Sequence, residues 1–253
     1  MVAADGGVFV FPTGQSGGYY GSLPGDGVSV DDVVGMVATP SDNGYFLVGA
    51  DGGVFAFGDA PYLGSLPGNG VHVNDVRAIV GTSDNRGYFL VGADGGVFAF
   101  GDAPYLGSLP GSGVHVDDVV SIAATPDDDG YWLVTSTGHV YSYGNAVADG
   151  SVTGSSSPVS GIESTPDGQG YWVVTQGGGV VAFGDATFLG SLPETGVTPT
   201  APVVELVPTA DERGYWLIGE DGGIFSFGDA TFDGSLPQVG VHVADVVGAV
   251  PTT

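Results

Sequence analysis

Internal repetition constrains this chain more than any other feature. The dipeptide Gly-Tyr recurs at Gly44-Tyr45, Gly87-Tyr88, Gly130-Tyr131, Gly170-Tyr171 and Gly214-Tyr215, at spacings of 43, 43, 40 and 44 residues. The 25-residue stretch from Gly44 to Gly68 is repeated without change from Gly87 to Gly111. A regular period of this length indicates one supersecondary unit copied along the chain, each copy burying its apolar face against its neighbours. Within a repeat the pattern reads as four short strands: Val33–Thr39, Gly44–Ala50, Val54–Phe57 and Pro61–Ser65. Asp51-Gly52-Gly53 between apolar runs is a strong hairpin signal. No stretch sustains a 3.6-residue period, so almost no helix is expected.

Along Gly44–Ala50 the two sets of alternating residues are both apolar, with Tyr45 and Leu47 on one face and Phe46 and Val48 on the other. A sheet buried on both faces needs neighbours on both sides. Small four-stranded sheets packed face to face around an axis satisfy that demand. The expected fold is therefore all-β, a six-bladed β-propeller of four-stranded blades. Ala4–Phe9 matches Ala50–Phe55, and Asp245–Val250 matches Asp32–Val37. The C-terminal strand is thus expected to pair with the N-terminal blade and close the ring. The predicted blades are 1–30 with 245–253, then 31–74, 75–117, 118–157, 158–200 and 201–244, within a single domain 1–253. An excised piece of an open linear array is the alternative.

Composition narrows the function. The chain carries 29 acids against three Arg and no Lys, a formal charge of −26. So few cations leave nothing to neutralise phosphates, which argues against nucleic acid and anionic membranes as partners. The absence of Cys excludes disulfides, thiolate catalysis and Cys-based zinc sites. Apolar runs are short and broken by Gly, so membrane insertion is not expected. The opening residues show no basic segment followed by an apolar one, which predicts no signal peptide in this chain.

The motif GY[FW][LV]V, then DGG[VI]F, FGDAx[YF] and GS, covers nearly the whole chain. It resembles the tandem GYW-DGGVF-FGDA repeats of secreted and cell-wall actinobacterial proteins. The DGGVFAF hairpin is also similar, more weakly, to repeats of quinoprotein-type and tachylectin-like propellers. The resemblance implies a secreted propeller module, located outside the cell or in the cell wall.

The recurring aromatics Tyr45, Tyr88, Tyr131, Tyr171 and Tyr215, each followed by Phe or Trp, suit packing between blades better than sugar stacking, because they lie mid-strand between buried faces. The candidate binding pairs follow the GDA turn: Asp59 with Tyr62, Asp102 with Tyr105, Asp185 with Phe188, and Asp229 with Phe232. A carboxylate can accept sugar hydroxyls while a ring stacks on the apolar sugar face. The competing reading has the Asp bonding its own turn and the ring packing on the next blade. Repeat 118–157 is expected to be silent, with Asn145 replacing the acid and Val147 replacing the ring.

His72, His115 and His242 recur within Val-His-Val but on separate blades, which disfavours a shared metal. The abundant Asp leaves Ca²⁺ as the one cation to consider, although no calcium-loop signature is present. Glu163, Glu205 and Arg77 break the apolar pattern of the predicted innermost strands. Near-identical repeats and the lack of catalytic motifs argue against an enzyme. The sequence thus points to a non-catalytic binding module for carbohydrate or another cell-surface or matrix ligand. A structural or adhesive spacer with a calcium-responsive acidic surface is the alternative, and a polysaccharide hydrolase or lyase using Glu163 and Glu205 is the more distant one.

Overall fold

The computed structural model describes residues 1–11 and 18–251. Residues 12–17 and 252–253, which belong to the predicted composite blade, lie outside the described residues. Among the described residues seventeen strands run in chain order: β1 (Val2–Ala3), β2 (Val33–Ala38), β3 (Gly44–Gly49), β4 (Val54–Gly58), β5 (Val76–Gly81), β6 (Gly87–Gly92), β7 (Val97–Gly101), β8 (Val119–Ala124), β9 (Gly130–Thr135), β10 (Val140–Gly144), β11 (Val159–Ser164), β12 (Gly170–Thr175), β13 (Val180–Gly184), β14 (Val203–Pro208), β15 (Gly214–Gly219), β16 (Ile224–Gly228) and β17 (Val246–Gly248). Among the described residues helix is confined to three single 3-10 turns and one four-residue turn at Leu192–Thr195. Among the described residues no helix is long and apolar enough to cross a membrane.

The strands form five three-stranded antiparallel sheets, one per repeat, and a two-stranded sheet in which β17 pairs with β1. The middle strand of each larger sheet is the Gly-Tyr strand. All six residues of β3, β6, β9 and β12 are buried, as the doubly apolar alternation demands. Where the first strand meets the middle one, the ladder slips by a residue at Val33/Gly35, Val76/Ala78, Val159/Gly161 and Val203/Glu205. Such bulges bend a strand and increase its twist. Arg77 is the extra residue of its bulge and points to solvent, which removes it from the buried pattern it breaks in sequence.

The chain forms two compact units, Met1–Val119 with Val247–Thr253, and Val120–Val246. In the first, Phe46, Val48 and Val54 pack against Val76, Ile79, Tyr88 and Leu90 of the next sheet. A second cluster joins Val2, Leu23, Val33, Tyr45 and Leu47. In the second unit, Trp132, Val134 and Val140 pack on Ile162, Tyr171 and Val173. Trp172, Val174 and Val180 then pack on Leu206, Tyr215 and Leu217.

Within each unit a middle-strand Tyr ties neighbouring repeats together. In the first unit the Tyr45 hydroxyl donates to the Gly21 carbonyl and the Tyr88 hydroxyl to that of Gly64. In the second, Tyr171 donates to the Gly150 carbonyl at 2.7 Å and Tyr215 to that of Gly190. Each ring is also held between two others. Tyr88 lies 5.2 Å from Phe46 of the preceding repeat and 5.4 Å from Phe100 of its own. Tyr171 lies 5.4 Å from Trp132 and 5.3 Å from Phe183. Burial pushes the Tyr88 hydroxyl up to about 12. The repeating aromatics are therefore packing residues between repeats.

The same bonds correct the expectation of a fourth strand. Pro61–Ser65 and its equivalents form no ladder. Pro61 has no N–H to donate, and Gly64, at φ +123°, leaves the strand conformation. The carbonyl of Gly64 goes instead to Tyr88. In repeat 118–157 the edge N–H of Val140 is bonded by the Ser151 hydroxyl at 3.0 Å rather than by a strand. Side chains have taken the backbone groups that a fourth strand would have used.

Tyr171 both donates to the Gly150 carbonyl and accepts the Gly150 N–H at 3.0 Å. Tyr171→Phe leaves two part-buried backbone groups without that partner, and about 1–3 kcal/mol of stability is expected to be lost. Urea unfolding monitored by fluorescence measures it, with the other Tyr clasps as comparators.

Candidate functional site

The GDA turn ends the third strand of each repeat and lies beside the loop joining the first and second strands. The Asp59 N–H donates to the Asn43 carbonyl at 3.0 Å, and Asp102, Asp185 and Asp229 repeat this bond to Arg86, Gln169 and Arg213. The turn requires Gly58, at φ +67°, because a Cβ there would sit 2.1 Å from the Asn43 carbonyl oxygen. The acidic side chains then face the loop. Asp59 accepts from Thr39 Oγ1 at 2.9 Å and Ser41 Oγ at 2.6 Å. Asp185 accepts from Thr165 Oγ1 at 3.3 Å. Asn145 donates through Nδ2 to Asp127 at 2.7 Å. Hydrogen bonds to Thr125 and the Asp129 N–H hold the Asp127 carboxyl below its ordinary value, and Thr209 and the Arg213 N–H do the same for Asp211.

The rings paired with these acids in sequence are exposed. Tyr62 and Tyr105 are each 58% exposed, Phe188 43% and Phe232 48%. The Tyr62 hydroxyl donates to Ser65 Oγ at 3.1 Å, and Tyr105 to Ser108 Oγ at 3.0 Å. A further member of this series escaped sequence reasoning. Tyr19 is 57% exposed, and its hydroxyl is 2.8 Å from Ser22 Oγ. The GSLPG tail shared by Gly21–Gly25 and Gly64–Gly68 carried that signal, but Ser16, not Asp, stands three residues before Tyr19.

Two other features distinguish the repeats. Where the middle strand carries Trp, its indole N–H donates to the backbone just ahead of the ring position: Trp172 to Thr187 O and Trp216 to Thr231 O, both at 2.8 Å. Phe46 and Phe89 have no such donor, and there Pro61 and Pro104 occupy the matching positions. Trp132 donates to Val147 O at 2.7 Å, which aligns Val147 with Thr187. The ring position of that repeat is therefore held by Ala148, not Val147 as the sequence reading had it. It carries no ring in either case.

His72, His115 and His242 are exposed. Among the described residues no group of three or more His, Cys, Asp or Glu side chains is arranged to hold a metal ion. Glu163 on β11 and Glu205 on β14 lie on adjacent first strands of the second unit, where β11 packs against β14. Gly161 on β11 faces the Glu205 carboxyl, where a Cβ would lie in ordinary contact at 3.6 Å from Glu205 Oε1. Burial first, and then the Glu205 charge, pushes the Glu163 carboxyl well above its ordinary value. Burial pushes Glu205 up to about 8. Both carboxyls resist ionisation because burial disfavours their charged form.

No family model matches the chain, and no curated protein matches it.

For Glu205 the folded value of about 8 exceeds the unfolded value of 4.5, so the folded state keeps a proton that the unfolded chain releases. That stabilisation is complete below about pH 4.5 and is lost as pH rises through about 8. Glu205→Gln should flatten this decline, and melting temperatures between pH 5 and 9 read it directly.

Proposed function

We propose that the chain is a six-bladed β-propeller, closed by the β1–β17 pair, that serves as a non-catalytic, multivalent binding module outside the cell for carbohydrate or another cell-surface ligand. The observation that carries the reading is the exposed ring repeated at one position: Tyr19, Tyr62, Tyr105, Phe188 and Phe232. Nearly all other aromatics of the repeats are drawn into the packing between sheets. A large ring kept half-exposed at the same place in five repeats offers several copies of one flat apolar surface, suited to the C–H face of a sugar. One such contact is weak, about 4 kcal/mol for a Kd near ~1 mM. Several on one body reinforce each other against a polyvalent surface. The hydroxyl that each Tyr shares with the Ser three residues on fixes the ring and lowers the ordering cost of binding.

The acids of the GDA turn serve chiefly to tie loop to turn. The rings, more than Asp59 or Asp102, are the residues on which recognition rests. The placement outside the cell rests on the resemblance of the repeats to secreted and cell-wall proteins.

Replacing Tyr19, Tyr62 and Tyr105 together by Ala should reduce binding to an immobilised glycan surface at least tenfold with little change in melting temperature. Unchanged binding would place recognition elsewhere. Ring closure has its own test. Deleting residues 246–253 removes buried Val246 from its place and β17 from β1. At about 1.5–3 kcal/mol per buried Val, the truncated chain should melt several degrees lower or aggregate through the freed edge. Unchanged melting would favour an open array.

A further inference from the structure

We propose that repeat 201–244 docks an extended Gly-Tyr-bearing segment of a partner chain, on the face of its sheet that carries Trp216, Ser226 and Gly234. The segment would bind as one repeat of this chain binds the next.

The chain makes that contact repeatedly within itself. The residue after the middle-strand Tyr is aromatic and packs on the Tyr of the following repeat. Phe46 lies 5.2 Å from Tyr88, Trp132 5.4 Å from Tyr171 and Trp172 6.3 Å from Tyr215. The hydroxyl of the same Tyr donates to a glycine carbonyl of the repeat that supplied the aromatic: Gly64, Gly150 and Gly190 in turn. An aromatic ring and a glycine carbonyl of one repeat thus form a two-point receptor for one Tyr of the next.

In repeat 201–244 the receptor is present and its Tyr is not. Trp216 is held as Trp172 is, its indole N–H donating to Thr231 O at 2.8 Å where Trp172 donates to Thr187 O at 2.8 Å. Gly234 has φ +122°, close to the +128° of Gly190, so the chain bends alike at both. Yet Trp216 is only partly buried, whereas Trp132 and Trp172 are buried. Among the described residues no ring packs on Trp216 and no donor reaches the Gly234 carbonyl.

Ser226 is an independent sign. It lies directly opposite Trp216 in the β15–β16 ladder, so both side chains stand on one face. Its hydroxyl oxygen is buried and lacks a hydrogen-bond partner, alone in this among the buried side-chain N and O atoms of the described residues. Such an orphan is destabilising until a polar atom reaches it. Ala56, Ala99 and Ala182 hold the matching positions of three other repeats and need no partner. Ile218 and Leu236, on the same face, are buried, which confines the opening to the end of the sheet at Trp216.

These groups specify the occupant. A Tyr supplies a ring for Trp216 and an O–H for Gly234; a Phe fills the space and leaves the carbonyl bare. Asp233 precedes Gly234 where Leu63 and Leu189 precede their glycines, but it is no obstacle. Asp149 holds the same place before Gly150, and Tyr171 binds there.

The test titrates the full chain with a synthetic peptide of residues 43–51, and with its Tyr45→Phe and Tyr45→Ala versions. Acrylamide quenching reads how many of the three Trp are accessible, and melting temperature reads binding without a probe. The unaltered peptide should shield one Trp and raise the melting temperature at ~1 mM. Tyr45→Phe should bind about fivefold more weakly, the loss of one hydrogen bond, and Tyr45→Ala should not bind. In a Trp216→Phe chain the shielding should disappear while the rise in melting temperature persists, since Phe46 serves the same contact to Tyr88. No binding of the unaltered peptide at ~1 mM, or equal binding of the Tyr and Ala peptides, overturns the proposal. So does dimerisation of the chain alone that shields Trp216, which would place a second copy on this face.

Discussion

The structure depends on a clasp between successive repeats. The middle-strand Tyr of one repeat reaches the backbone of the Gly three residues ahead of a Pro, or its equivalent, in the repeat before it. Gly21–Tyr45 and Gly64–Tyr88 make this contact in the first unit, and Gly150–Tyr171 and Gly190–Tyr215 in the second. The same ring fills the gap between two sheets, so one residue supplies both apolar contact and the polar match for an otherwise orphaned carbonyl. A sheet of three short strands cannot bury both of its faces alone. The clasp obliges each sheet to take a neighbour.

Much of the remaining design follows from where backbone groups go. Because Tyr hydroxyls, Trp indoles and Ser hydroxyls bond the segment after the GDA turn, that segment lies along the sheet without joining its ladder. The third strand is thereby left as an edge. Edges invite pairing with other chains; here side-chain donors, proline and a dense negative charge accompany them. Freed from ladder geometry, the segment also turns one ring outward in each of five repeats. The surface that we read as the binding face is thus a consequence of the way the edge is finished.

The all-β class and the first three strands of each repeat were legible from the chain, since alternation and Asp-Gly-Gly turns are local signals. Gly44–Ala50 was read within one residue of β3, and the doubly buried middle strand followed from apolar residues on both of its faces. The fourth strand was misread because Pro61–Ser65 is apolar enough for a strand, while the bonds that divert it come from the next repeat, some 24 residues on. At the candidate site the GDA acids and their rings were visible as a motif, but their separate partners were not. Tyr19 was missed because its repeat lacks the acid that marked the others.

The sequence by itself determined that this chain repeats, that its middle strands are apolar on both faces, and that it carries a formal charge of −26. These follow from periodicity and composition, which need no contact between distant residues. Only the tertiary structure decided which acids share a hydrogen-bond donor. Thr165, Asp167 and Asp185 are spread over 20 residues and meet because the β12–β13 hairpin brings the GDA turn back beside the loop that precedes it. The structure likewise set Glu205 beside Gly161 on a neighbouring strand. A carboxyl's chemistry is set by its neighbours in space, and in a folded sheet those neighbours are rarely its neighbours in the chain.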